Sequence, residues 1–258
     1  MDADQVLSII KQVSAEIVEP RFRALHENEI ESKAPGDYVT VADREAERAL
    51  STQLRARYPD AVVVGEEGSF LDPTQLDAIG VASHCFVVDP LDGTNNFVRG
   101  SEDFAVMVAE LYGAQTVGAW IYQPRAEKAY VAVRGGGVFC NDERIVSAPI
   151  HNPPQGASTF RAWRGFDEEG RIAPVIAASG SAGIDYPHVV TGAIDFVVYR
   201  FPKPWDHLPG QLMLQELGGD VVHLDGRLYR PGSGTMAILS CRDLATGRQV
   251  ATQWPHRD

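Results

Sequence analysis

The most constraining feature of this chain is a short acidic turn at residues 89–97, D-P-L-D-G-T-N-N-F, which follows the apolar run at 84–88. A run of β-branched and other apolar residues predicts a buried strand, so Asp89 is expected where that strand ends. Pro90 fixes φ and donates no hydrogen bond, and the D-G-T that follows favours a turn into a helix. The carboxylates of Asp89 and Asp92 can therefore converge beside helical N–H groups, an arrangement that suits a hard cation and a phosphate.

An isolated motif of this kind is more often a structural turn whose aspartates cap a helix. Three further acidic stretches favour a functional site: Asp43 after D-Y-V-T, Glu66 and Glu67 after a run of valines, and Asp206 after a tryptophan. The ordered pattern D…EE…DPLDGT…WD resembles the signature of the inositol monophosphatase family, within the lithium-sensitive, magnesium-dependent phosphatase superfamily. The resemblance covers nearly the whole chain, and four motifs in register are specific where each alone is weak.

This resemblance implies an α/β fold with α+β layering, the αβαβα sandwich shared with fructose-1,6-bisphosphatase. We expect an N-terminal α+β half, residues 1–148, that carries most metal ligands. A C-terminal α/β half, residues 149–258, would carry the W-D motif and the substrate side. The turn-forming stretch at 151–156 marks the boundary between them.

The resemblance also implies a site for two to three Mg2+ ions, with Mn2+ as a substitute and Li+ as an inhibitor. The metal would be held by Glu66, Asp89, Asp92, Asp206 and the main-chain carbonyl of Leu91, with Asp89 bridging two ions. All of these candidate ligands are oxygens, which a hard cation prefers. Two cations about 4 Å apart can activate a water molecule and steady the departing oxygen of a phosphate monoester.

Three residues are implied to be catalytic. Asp43 and Thr94 would orient or deprotonate the attacking water, and Glu67 would order a water molecule. Asp43 has a structural alternative, because T-V-A-D fits a capping box at a helix start. Asp206 has a similar one, since a carboxylate is favoured at the start of any helix. Adjacent glutamates are usually surface residues, but here they follow a predicted buried strand.

The substrate side departs from the animal inositol enzymes. The implied contacts are Lys33, Asp92, Gly93, Thr94, Gly180, Ser181, Ala182 and Tyr199. Lys33 lies on a loop, residues 29–37, that we expect to be mobile and to close over the site, although a lone lysine is more often simply solvated. Tyr199 stands seven residues before Asp206, where the animal enzymes carry a glutamate, and a phenol cannot accept from two hydroxyls as a carboxylate does.

The predicted function is magnesium-dependent hydrolysis of a phosphate monoester of a small sugar, polyol or amino alcohol. Histidinol phosphate, fructose bisphosphate and a nucleotide 3′-phosphate are alternative substrates for the same site. An amino alcohol would need an acidic contact, for which Asp185 and Asp195 are candidates. A different class of function is a non-catalytic binding module of the transcription machinery, but the full set of metal-site residues favours an enzyme.

Composition excludes several other classes of protein. The net charge of −12 argues against a nucleic-acid partner, because no basic run is present to neutralise phosphates. The three cysteines are widely spaced, which fits a reducing cytoplasm and neither a disulfide framework nor a zinc site. The N-terminus is acidic and no apolar run approaches membrane-spanning length, so neither export nor a membrane partner is expected. By resemblance, the protein is a homodimer.

The remaining patterns predict individual elements. An amphipathic helix should run from the N-terminus to Pro20, and strands should cover 104–109, 116–122 and 128–133. Residues 161–164 are interpreted as a surface loop. Helices are expected at 186–191 and after Asp206, and two strands, 220–224 and 236–240, should close the chain.

Overall fold

The computed structural model describes residues 3–230 and 236–255. Its α-helices are α1 Ala3–Val13, α2 Val41–Arg57, α3 Glu66–Leu71, α4 Thr94–Val98, α5 Ala182–Thr191, α6 Pro204–Glu216 and α7 Leu244–Gln253. Its strands are β1 Ile30–Ala34, β2 Asp37–Thr40, β3 Val62–Gly65, β4 Cys85–Asp92, β5 Ala105–Tyr112, β6 Gln115–Gln123, β7 Lys128–Val133, β8 Gly137–Cys140, β9 Glu143–Arg144, β10 Gly156–Ser158, β11 Ile176–Ala177, β12 Phe196–Tyr199, β13 Asp220–His223 and β14 Ile238–Cys241.

Within these residues the strands form two large sheets and one hairpin. The first sheet has seven strands in the order β3-β4-β5-β6-β7-β8-β9, and all its pairs are antiparallel except β3 with β4. The second has five strands in the order β11-β10-β12-β14-β13, with β10 parallel to both of its neighbours. The hairpin pairs β1 with β2.

Successive side chains of a strand point to opposite faces of its sheet, so each large sheet packs against helices on both faces and the fold is a sandwich of five layers. Phe86 and Val88 in β4 face a core shared with α1 and α2, whereas Val87 faces a core shared with α5 and α6. The second sheet contributes Val197 to that central core and Val198 to an outer core that includes α7. The layers are therefore helix, sheet, helix, sheet and helix, which confirms the predicted fold class.

Strand β4 is longer than the sequence predicted. It does not end at Asp89 but runs through Pro90 to Asp92, and its register with β5 shifts between the two aspartates. Pro90 is tolerated because a proline at such an irregularity does not remove a regular ladder hydrogen bond. The shift places both carboxylates at the end of a fully buried strand.

The predicted mobile loop at 29–37 is instead the β1/β2 hairpin, whose turn contains Gly36 with φ +80°. The sequence did not predict these strands because the hairpin buries few side chains and therefore lacks the alternation of apolar and polar residues that indicates a strand. Helix α5 begins at Ala182, earlier than predicted, and the first helix is α-helical only to Val13 before π and 3-10 turns that include Pro20.

Two predictions for the C-terminal residues are wrong. The segment predicted as a surface loop buries Trp163, which is 3% exposed and packs edge-on against Trp254. The last strand lies at Ile238–Cys241 and is followed by α7, a helix that the sequence interpretation missed. The predicted division after residue 148 stays a prediction. Among the described residues, every helix is too short or too polar to cross a membrane.

Candidate active site

A cleft of about 240 Å³ brings together most of the predicted site residues. Those lining it are Glu66, Asp89, Leu91, Asp92, Gly93, Thr94, Gly180 and Asp206. They come from the ends of β3 and β4, the first turns of α3, α4 and α6, and the loop before α5. The cleft therefore lies between the end of the first sheet and the helices α5 and α6 of the C-terminal residues.

Three aspartates form the floor of the cleft. Oxygen atoms of Asp89, Asp92 and Asp206 lie within 4.8 Å of one another. Asp89 is only 2% exposed. Burial raises its pKa well above the ordinary value, and the carboxylates of Glu66, Asp92 and Asp206 raise it further. Three carboxylates held this close repel one another, and a hard divalent cation such as Mg2+ would offset that repulsion.

Asp92 is held in place by the start of α5. Its carboxylate accepts hydrogen bonds from the Ser181 hydroxyl, from the Ala182 amide at 3.1 Å and from the Gly183 amide at 2.7 Å. Burial raises the pKa of Asp92, and the Ser181 hydroxyl opposes that rise. Ser181 and Ala182, predicted to face the substrate, here support a candidate metal ligand.

Asp43 combines the two roles that its sequence pattern left open. It completes the capping box of α2, because its Oδ2 accepts the Thr40 amide at 2.7 Å. Its Oδ1 accepts the Thr94 hydroxyl at 2.8 Å, and that hydroxyl also lies 3.0 Å from the Leu91 carbonyl oxygen. Burial raises the pKa of Asp43 to about 6. Capping the helix and orienting Thr94 are thus done by different oxygens of one carboxylate.

Lys33 reaches the adjacent glutamates from the hairpin. Its ammonium lies 3.0 Å from Glu66 Oε1 and 2.6 Å from Glu67 Oε1, and its side chain is 5% exposed. Burial disfavours its charge, but the two carboxylates more than compensate and raise its pKa. Glu66 and Glu67 are the first two residues of α3.

Tyr199 lies outside the residues that line the cleft. Its ring stacks on Tyr186 with centroids 5.8 Å apart, and its buried hydroxyl has no hydrogen-bond partner among the described residues. Asp195 is fully buried against Arg242 and is therefore not a substrate contact. Asp185 is also buried, and one of its oxygens accepts the Ser179 amide at 2.9 Å.

Sequence reasoning assigned no role to the other residues that line the cleft, Asp37, Tyr38, Asn95, Lys203 and Trp205. Asn95 donates to the Gly36 carbonyl at 2.7 Å and so ties the hairpin to α4. Lys203 carries the one signal that could have identified it, a cation directly before the P-W-D that begins α6. The others lie within motifs that were recognised for neighbouring residues: Asp37 and Tyr38 in D-Y-V-T, Asn95 in the turn at 89–97 and Trp205 in W-D.

Comparison with known proteins agrees with the geometry. The sequence profile of the inositol monophosphatase family matches residues 2–256. An inositol-1-monophosphatase of Rhizobium meliloti is 33% identical over 217 residues, 80% of this chain and 79% of that protein. The Nus factor SuhB of Vibrio cholerae is 29% identical over 222 residues, 81% of this chain and 80% of that protein.

Solved structures share the fold. An IMPase of Thermotoga maritima superposes with a TM-score of 0.81 at 25% identity, covering 97% of this chain and 96% of its own. An IMPase/NADP phosphatase solved with Mg2+ and phosphate gives a TM-score of 0.80 at 24% identity, covering 96% and 93%. On the profile match, the sequence identity and the fold, the chain belongs to the inositol monophosphatase family of phosphomonoesterases.

Proposed function

We propose that this phosphatase hydrolyses a phosphate monoester of a small sugar, polyol or amino alcohol, with Mg2+ as its cofactor. The observation that supports this best is the convergence of Asp89, Asp92 and Asp206 within 4.8 Å. The cleft of about 240 Å³ lies just below the range of about 300–1,000 Å³ that is usual for drug-sized ligands, which suits a smaller phosphorylated metabolite.

The metal ligands are assigned from this geometry and from the family pattern. One ion would be held by Glu66, Asp89 and the carbonyl of Leu91, and a second by Asp89, Asp92 and Asp206. A third, weaker site would involve Asp43. Bound cations would supply the positive charge that makes water more acidic and neutralises phosphate oxygens.

The protein's own groups position water and phosphate. Thr94 donates a hydrogen bond to Asp43, so its hydroxyl proton can pass to the ionised Asp43 carboxylate while its oxygen takes a proton from water at the cleft. Asp43 in its ionised form is the acceptor that supports this transfer. The amides of Gly93 and Thr94 would bind phosphate oxygens, and Glu67 would order a second water molecule.

The substrate is proposed only as a class. Lys203 lines the cleft together with Gly180, and its cation favours an anionic or hydroxylated substrate. No carboxylate replaces the family glutamate at Tyr199, so inositol 1-phosphate is not favoured over histidinol phosphate, fructose 1,6-bisphosphate or a nucleotide 3′-phosphate. Inhibition by Li+ and activity with Mn2+ are part of the proposal.

The test is phosphate release from those four substrates with and without Mg2+, and with Li+ added. Mg2+-dependent, Li+-inhibited turnover of any of them is the expected result, and the preferred substrate defines the class. Binding of Mg2+ without turnover of any substrate would contradict the proposed substrate class. Turnover that persists in chelator would contradict the metal assignment.

A second candidate is a binding role in transcription, supported by the relative named Nus factor SuhB. Capture of transcription proteins by both the unmodified protein and a turnover-deficient variant would establish that role separately from catalysis.

The proposal also includes a homodimer in the cytoplasm. Sedimentation of the purified protein tests the dimer, and cell fractionation tests the compartment.

A further inference from the structure

Glu47 lies on α2, four residues after Asp43, and it contacts the segment that carries Glu66 and Glu67. Its Oε2 accepts the Glu67 amide at 2.7 Å, and its Oε1 accepts the Gly68 amide at 2.8 Å. Both acceptor oxygens are thus used on successive amides of α3. These amides belong to the first turn of a helix, where no intrahelical acceptor is available to them.

The backbone around Glu47 is shaped to admit this carboxylate. A β-carbon at Gly65 would overlap the carboxyl group of Glu47, and one at Gly68 would lie 3.2 Å from its Oε1. Glycine at both positions lets the side chain approach the amides from the α2 side. The contact is therefore built by three residues and does not depend on a flexible surface side chain.

The contact joins the two ends of the candidate site. Asp43 and Glu47 are one helical turn apart, so they lie on the same face of α2. Asp43 reaches Thr94 at the end of β4, and Glu47 reaches the start of α3 at the end of β3. One rigid helix thus sets the separation between the Thr94 pair and the two glutamates.

We propose that Glu47 is a positioning residue for the metal site, because it fixes the start of α3 so that the Glu66 carboxylate faces Asp89. Lys33, on the hairpin, holds the Glu66 and Glu67 side chains by hydrogen bonds to their carboxylates. Glu47 instead holds the backbone that carries them, at the Glu67 and Gly68 amides. The inference rests on the proposed role of Glu66 as a metal ligand.

The test is Mn2+ binding to the phosphate-free protein, measured by the electron paramagnetic resonance of free Mn2+, which requires no turnover. Glu47→Gln keeps the size of the side chain but offers one acceptor oxygen, so one amide faces an NH2 group. Residues that support metal ligands typically contribute about 10–100-fold in affinity, and we expect the dissociation constant to rise about tenfold with unchanged stoichiometry. Gly65→Ala, which displaces the carboxylate, should have the same effect.

The matched control is Glu45→Gln, the same change on the same helix, at a surface pair with Arg21 whose side chains are 26% and 39% exposed. It should bind Mn2+ as the unmodified protein does. Unchanged affinity in Glu47→Gln overturns the inference. A fall in stoichiometry at unchanged affinity also overturns it, because Glu47 would then only stabilise the fold. Failure of the unmodified protein to bind Mn2+ would instead overturn the metal site of the proposed function.

Discussion

The hydroxyl of Thr94 donates to Asp43 across 51 residues of sequence, at 2.8 Å. This hydrogen bond joins the start of α2 to the turn after β4. A carboxylate that caps α2 thus also accepts a hydrogen bond from a residue that lines the cleft, as the proposed proton transfer requires.

Replacing Thr94 by alanine should therefore remove proton acceptance without removing a metal ligand. We expect kcat to fall by about 10²–10⁴, the usual contribution of a positioned acid or base, with a small change in KM. Thr94→Ser keeps the hydroxyl and should retain most of the activity. Steady-state phosphate release measures both variants, and equal losses in alanine and serine would argue against the assigned role.

Asp89→Asn should abolish Mg2+-dependent turnover and leave the fold intact. The amide oxygen can still accept the Leu91 amide, which lies 3.1 Å from Asp89 Oδ1. Because the change removes one charge from a buried, mutually repelling group, the variant in chelator should be more stable by about 0.5–2 kcal/mol. Chemical denaturation measures that gain, and near-normal activity would refute the two-metal assignment.

Ser181→Ala should weaken Mg2+ binding at Asp92. The hydroxyl is a donor to Asp92 and opposes the burial that raises the pKa of that carboxyl. Without it, protons compete better with the cation, so the Mg2+ concentration for half-maximal activity should rise about tenfold, and more at low pH. Ser181→Thr retains a donor and serves as the control; an equal shift in both variants would exclude the hydroxyl as the cause.

The stability of the metal-free protein should fall as the pH rises. Burial raises the folded-state pKa of Asp43 to about 6, above its ordinary 3.8. Between these values the folded protein holds a proton that the unfolded chain releases, so the contribution is present below about pH 4 and lost by about pH 6. Mg2+ at a hundredfold excess over its dissociation constant should add about 2.7 kcal/mol. A fixed Mg2+ concentration should add more above that window, where protons no longer compete for the carboxylates. Melting temperatures in chelator and in Mg2+ across the range measure both effects.

Trp163→Ala should destabilise the C-terminal half. The side chain is 3% exposed and packs with Trp254 in the outer core. Truncation of such a tryptophan typically costs about 3–5 kcal/mol. Arg161→Ala, two residues away and exposed, should change stability by less than about 0.5 kcal/mol. Denaturant unfolding compares them, and a small loss at Trp163 would support the surface loop that the sequence suggested.

The sequence predicted the site better than the elements that carry it. Asp89, Asp92 and Asp206 could be found because each follows or precedes a strong apolar pattern, and the structure brings them together. The hairpin at Lys33 was missed because its strands bury little, and Trp163 was missed because a single aromatic in a 3-10 turn has no periodicity. Glu47 had no signal of its own, since its partners are backbone amides.

The hydrogen bonds that hold Asp92 come from residues 89 to 91 positions later in the chain. During synthesis at about 5–20 residues per second, β4 therefore leaves the ribosome roughly 5–20 s before those donors exist. Asp206 is made later still. With the proposed ligand set, Mg2+ would have no completed site to bind while the first half folds, so the ion would stabilise only a chain that has been made as far as Asp206.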